Sequence, residues 1–185
     1  MEYTTQNDLL LKNLEKYYSE NNYKNLNTML DIINGASKIS LRIVDWFSTN
    51  YAKHYYTTYI IKRNNSITRF KPYNDYKLKL KAYQKRRFDP FCRWERINVP
   101  YKNNQYVQTT IGQLNFFKWA LDNKVIDYIE KNYDIIENDM NKRNSTSKLN
   151  ISTKLNTTRK KRQELSISAV KSVKKEDIEI TIDFN

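Results

Sequence analysis

The sequence runs to 185 residues and carries a net charge of +13. That length fits one domain with tails and a core of ordinary size, and the charge favours polyanionic partners: nucleic acid first, then anionic membranes or acidic proteins. A lone cysteine, Cys92, excludes an internal disulfide, and with the single histidine, His54, it supplies too few ligands for a cysteine-based zinc centre. Only Gly35 and Gly112 are glycines, which excludes glycine-rich phosphate loops of the Walker or dinucleotide type. Asn, Lys, Ile and Tyr all have A/T-rich codons, so genome composition is the alternative to function as a source of the lysine excess.

The N-terminus carries Glu2 and Asp8 around Leu9–Leu11, a run too short for a signal-peptide core, and no stretch reaches the length of a membrane span. A soluble, intracellular protein is expected. Residues 7–33 read as one or two helices, with Asp8 as a cap, a break at Asn21-Asn22 and a C-cap at Asn34-Gly35. Ser37 or Ser40 caps the next helix, whose Ile39, Ile43, Val44, Phe47 and Tyr51 share one apolar face flanked by Trp46. Two β-rich runs around Asn64-Asn65-Ser66 predict a hairpin, ended or pushed to an edge by Pro72. Over Tyr76–Arg87 the lysines at 77, 79 and 81 alternate at strand period, but Tyr76, Leu80 and Tyr83 share a helical face and helix formers dominate; a helix is favoured. Phe88 to Trp94 forms an aromatic turn around Pro90, Ile97 and Val99 mark a short strand, and a polar loop follows through Gln105.

Thr109 or Thr110 opens a long helical stretch from Ile111 to Met140, kinked or split at Asp122-Asn123. The expected class is α+β: helices over 39–52 and 110–141 packed on a small antiparallel sheet built from 56–73 and 95–99. The chain divides into a helical arm (1–34), a core domain (35–142), a basic flexible linker or tail (143–175) and a strand-prone acidic end (176–185). That end, Ile178 to Phe184, has the alternation needed to add a strand to a sheet edge, in this chain or on a partner.

No motif of an enzyme is present, so no catalytic residue, metal or cofactor is expected. Cys92 with His54 lacks any mark of an activated thiol, and Asp75 and Asp89 suit turns. The basic middle is the stronger signal: from Lys53 to Lys102 there are fourteen Lys or Arg against three acidic residues, interleaved with aromatics. Cations grip phosphates and exposed rings stack on unpaired bases. The candidate phosphate contacts are Lys62, Arg63, Arg69, Lys71, Lys77, Lys81, Lys85, Arg86, Arg87 and Arg93, with Tyr59, Phe70 or Trp94 stacking. The bland alternative is a solvated lysine-rich surface over an aromatic core. Arg159, Lys160, Lys161 and Arg162 form a nuclear localisation signal, a phosphate-binding tail or a plain solvated tail.

Gly35 to Arg42 with Asp45-Trp46-Phe47, Ile60 to Asn64, Phe88 to Cys92, Thr110 to Phe117 and Arg159 to Arg162 together resemble an uncharacterised protein family of nucleocytoplasmic large DNA viruses, the giant viruses. The resemblance covers most of the chain from Gly35 onward. It implies action in a cytoplasmic virus factory, the host nucleus or the virion, and it carries no catalytic residues across. The leading expectation for this chain is binding of DNA or RNA in genome handling or transcription; the second is a structural role against acidic capsid or scaffold proteins, and the third an enzyme of unrecognised type.

Overall fold

The structure, a computed structural model, describes residues 5–63, 66–102, 105–152 and 175–177. Helix α1 (Gln6–Asn34) starts on a reciprocal cap: Thr5 N donates to the Asp8 carboxylate at 2.9 Å and Asp8 N donates to Thr5 Oγ1 at 3.2 Å. Asp8, expected as the cap itself, is thus the third helical residue and Thr5 the cap. The expected break is present, with Asn21, Asn22 and Tyr23 at φ 51, 55 and 60. Asparagine is among the few residues that enter the left-handed region readily. The end is also as expected: Gly35, at φ 77, and Ala36 and Ser37 all turn their N–H groups to the Asp31 carbonyl. Leu14, Tyr18, Leu26, Met29 and Leu30 of α1 are buried, so this helix is built into the common core.

Ser40 caps α2 (Leu41–Trp46), which runs through one wide π turn (Phe47–Tyr51) into the short α3 (Ala52–His54). The apolar stripe from Ile39 to Tyr51 is buried throughout. The hairpin pairs β1 (Tyr59–Arg63) with β2 (Ser66–Phe70) from Tyr59↔Phe70 to Arg63↔Ser66. Helix α4 (Pro72–Phe88) follows at once, with Pro at its first position and an interruption at Gln84.

The class is α+β, but the strands form two sheets where one was expected. β3 (Ile97–Pro100) pairs with β4 (Gln105–Thr109), part of which had been assigned to a polar loop, and not with the hairpin. The reason is local: Val107 and Thr109 alternate inward opposite Val99 and Ile97, and β4 is the strand nearest to β3 in the chain. A short β5 (Lys175–Asp177) pairs antiparallel with the other edge of β4. Ile178 to Phe184 lie outside the described residues.

The long C-terminal helical stretch is three helices: α5 (Ile111–Asp122), α6 (Val125–Lys131) and α7 (Tyr133–Ser152). The expected split at Asp122-Asn123 is joined by a second, unexpected one at Asn132. At each joint an asparagine amide turns back onto a carbonyl four residues earlier, Asn123 to Trp119 O and Asn132 to Tyr128 O. α7 also continues to Ser152, ten residues into the stretch assigned to the linker; the rest of that tail, apart from β5, lies outside the described residues.

Almost every residue of α5 is buried, so it is the axis of the core. Tyr18 OH donates to Leu114 O at 2.7 Å, which ties α1 to it. Two further bonds tie α4: Trp119 Nε1 to the Asp75 carboxylate at 2.6 Å, and the Asn115 amide to Arg87 O at 2.9 Å. Tyr76, Phe88, Phe116 and Trp119 pack edge-on or tilted around one another between the two helices.

Gly112 lets α5 approach the end of α4, since an added Cβ would lie 2.9 Å from Asp89 O and 3.1 Å from Arg86 O. Both neighbours are backbone and cannot yield, so Gly112→Ala should lower stability by about 1–3 kcal/mol in urea unfolding. Asp45 provides a second test. Burial first, and the neighbouring Asp89 carboxylate second, push its pKa up to about 7. The folded state therefore binds this proton more tightly than the unfolded chain. Asp45's contribution is most favourable below the unfolded value and is lost as pH rises through about 7. Unfolding midpoints measured across that range should fall with pH for the wild type relative to Asp45→Asn.

Candidate nucleic-acid interface

The cation-rich middle of the sequence becomes three connected surfaces. On the hairpin, pairing of Ile60 with Arg69 and of Lys62 with Ile67 places all four on the outer face, where all four are exposed. Two cations thus alternate diagonally with two isoleucines. On α4, the helical period puts Asn74, Lys77, Leu78 and Lys81 on one exposed face, while Lys79 is half-buried off that face. From Lys71 to Tyr83 this helix is about 18 Å long at 1.5 Å per residue.

The third surface is a cleft of about 740 Å³ where the end of α3, the start of β1, the end of β2 and the first turn of α4 meet. Lys53, His54, Arg69, Lys71 and Arg143 line it, together with Asn50, Thr57, Thr58, Asn74, Tyr56 and Tyr73. Among the described residues that line it there is no carboxylate. Lys53 Nζ stands 5.7 Å from the centre of the Tyr73 ring. No side chain caps α4 at Lys71, and its first helical hydrogen bond runs from Asp75 N to Lys71 O. The N–H groups of Tyr73 and Asn74 accordingly have no acceptor within the helix. Asn74 belongs both to the cleft and to the exposed α4 face, so the lysine row starts at the cleft's edge.

Arg143 reaches the cleft from α7 because Asp139 holds it. The Asp139 carboxylate accepts from Arg143 Nε at 2.9 Å, Trp46 Nε1 at 3.0 Å and Tyr55 OH at 2.9 Å. Burial alone would raise its pKa; the bonds from Arg143, Trp46 and Tyr55 outweigh burial and hold it below the ordinary carboxylate value.

The sequence profile of DUF7197, a family of unknown function, matches residues 1–184. The chain belongs to DUF7197. It is also 42% identical over 154 residues to the uncharacterized protein L507 of Acanthamoeba polyphaga mimivirus, an alignment covering 79% of this chain and 60% of that relative. The expected likeness to an uncharacterised giant-virus family is thus established, and the chain spans only about 60% of the length of the curated relative it matches. No solved structure matches it.

In this DUF7197 chain the expected site residues divide. Arg69 and Lys71 line the cleft, Lys62 shares the outer hairpin face with Arg69, and Lys77 and Lys81 form the exposed row. Arg86 lies over the Trp94 ring at 4.0 Å beyond the far end of that row, and Arg93 is exposed nearby in sequence. Lys85 is paired with Asp89 at 3.5 Å, and Arg87 turns to Gln6 Oε1 at 3.3 Å. Two stacking candidates are corrected. Phe70 is only 9% exposed, packed between Tyr59 and Trp119, and the Tyr59 ring is stacked on Tyr128 with its hydroxyl bound to Asn123 O. Neither ring presents a face to a base. The Arg63 side chain and Arg159, Lys160, Lys161 and Arg162 lie outside the described residues.

Lys53, His54, Tyr56, Tyr73 and Arg143 were absent from the expected set. Lys53 opened the basic stretch, and Tyr56 and Tyr73 stood among its interleaved aromatics; Arg143 lies about 90 positions beyond Lys53, and only the fold brings it in. Among the described residues no three His, Cys, Asp or Glu side chains gather as metal ligands, and no helix is long and apolar enough to cross a membrane.

Removing Asp139 tests this support. Asp139→Ala should cost about 1.5–3 kcal/mol at neutral pH, the scale of hydrogen bonds to a charged group. Because the folded pKa is depressed, that difference should stay constant above the unfolded value of about 3.9 and shrink as pH falls below it. Chemical unfolding of both proteins from pH 3 to pH 8 reads the difference directly.

Proposed function

We propose that this chain is a non-enzymatic nucleic-acid-binding protein of a giant virus, acting in genome handling or transcription in the infected cell. The observation that carries the proposal is the carboxylate-free basic cleft continued by Lys77 and Lys81 along α4. Such an arrangement offers successive phosphates a cationic path at little local repulsion. Most of the buried rings pack against one another, so the interface relies on phosphate contacts more than on stacking. The site of action that follows is the virus factory or the host nucleus, where viral nucleic acid is exposed.

A second role, as a virion structural or scaffold protein, is favoured by one observation. Ile60 and Ile67 are 66% and 72% exposed on the outer hairpin face, and Leu78 interrupts the lysine row at 66%. Isolated exposed apolar residues are ordinary, but two on one short strand pair suit a protein partner carrying acidic and apolar groups.

A salt titration of oligonucleotide binding, followed by fluorescence anisotropy, separates the two. Nucleic-acid binding requires affinity that falls steeply with salt; Lys77→Glu combined with Lys81→Glu should weaken it and lower the slope of log K against log salt by about 2, one per lost phosphate contact. Weak binding indifferent to salt and to those substitutions would instead support the structural role.

A further inference from the structure

We propose that the cleft seats the terminal phosphate of a single nucleic-acid strand, with the Tyr56 ring stacked on the adjoining base; this rests on the nucleic-acid-binding function proposed above and adds the group that the cleft recognises. The volume of about 740 Å³ lies within the range of about 300–1,000 Å³ typical of small-ligand sites. Lys53 comes to the concavity from α3, Arg69 from the end of β2 and Lys71 from the N-cap of α4, and Arg143 joins them from α7. A phosphate monoester carries about −1.5 to −2 charges at neutral pH and three strong acceptor oxygens, whereas a phosphodiester within a strand carries one charge. Lys53, Arg69 and Lys71, around a concavity with no carboxylate in its described lining, match the terminal group better than an internal linkage, and Arg143, already paired with Asp139, completes the wall. The uncapped first turn of α4 adds backbone N–H donors and positive helix-end character to the same wall.

Tyr56 is the second observation. It is 87% exposed on the cleft wall and its φ is 47, a left-handed backbone that bulky residues seldom adopt. The bond from Thr57 N to Ala52 O at 3.1 Å closes the turn that carries it. Among the described residues no ring contact holds Tyr56 there, and strained residues of this kind gather at ligand sites. An exposed aromatic face beside a phosphate seat is what a strand's end residue needs.

The test uses the full chain and three labelled oligothymidylates that differ only in their ends: 5′-phosphate, 3′-phosphate, or hydroxyl at both. One phosphorylated end should bind about tenfold more tightly than the hydroxyl-ended strand, the scale of one good charge-assisted contact; which end it is identifies the polarity. Inorganic phosphate in millimolar excess should narrow that gap. Lys71→Ala should abolish the preference, while Lys77→Glu should lower both affinities and leave their ratio. Tyr56→Asn removes the ring and relaxes the backbone, because asparagine accepts the left-handed region; it should reduce binding of the phosphorylated strand without loss of thermal stability. Equal affinity for all three strands would overturn the terminal-phosphate assignment and leave general nucleic-acid binding standing. Failure to bind any of them would overturn both.

Discussion

Everything on the cationic side of this molecule depends on how α4 is held to α5. One bond at each end does it: the Trp119 indole on Asp75 in the first turn, and the Asn115 amide on Arg87 O in the last. Between them the aromatic cluster excludes water, which strengthens both bonds. With its inner face fixed along its length, α4 has no freedom to roll, and the row of Lys77 and Lys81 must face outward. The same constraint places the open N-terminal turn of α4 against α3 and β2, and so forms the cleft.

Tyrosine does much of the long-range joining in a chain with 15 tyrosines and only two glycines. Tyr18 binds Leu114 O, Tyr59 binds Asn123 O, Tyr101 binds Asn27 and Tyr55 binds Asp139, each linking segments more than sixty positions apart. A tyrosine used this way buries its ring and satisfies a polar atom at once. That economy explains why an aromatic-rich basic sequence yields few rings for bases. Of the rings near the cleft, Tyr56 alone is both large and almost wholly exposed among the described residues.

Apolar periodicity made the helices legible. Ile39, Ile43, Val44, Phe47 and Tyr51 all occupy the buried face expected of them, and the breaks at Asn21-Asn22 and Asn123 carry the residue type that tolerates a left-handed turn or caps a helix end. The second sheet was not legible, because β4 shows only Val107 and Thr109 as inward residues after a run of polar ones. For the site, charge density was readable and concavity was not. Arg143 and Lys53 converge through tertiary packing that no local pattern encodes. Phe70 was misassigned against a signal that was present: in a strand where Arg69 faces solvent, residue 70 must point the other way.

The wide turn at Phe47–Tyr51 has a consequence for the register of the whole surface. A π turn accommodates one more residue than α-helical winding would, and each residue corresponds to about 100° of rotation about the axis. Helix α3 is therefore indexed by that extra residue: Phe47 and Tyr51 stay on the buried side while Lys53 and His54 reach the cleft wall. Had the chain stayed α-helical through this segment, the same lysine and histidine would have been wound about a quarter-turn or more away from Arg69 and Lys71. The basic character of the cleft thus depends on a backbone irregularity as much as on the residues that line it, and a one-residue deletion there could remove the site while leaving every cation in the sequence.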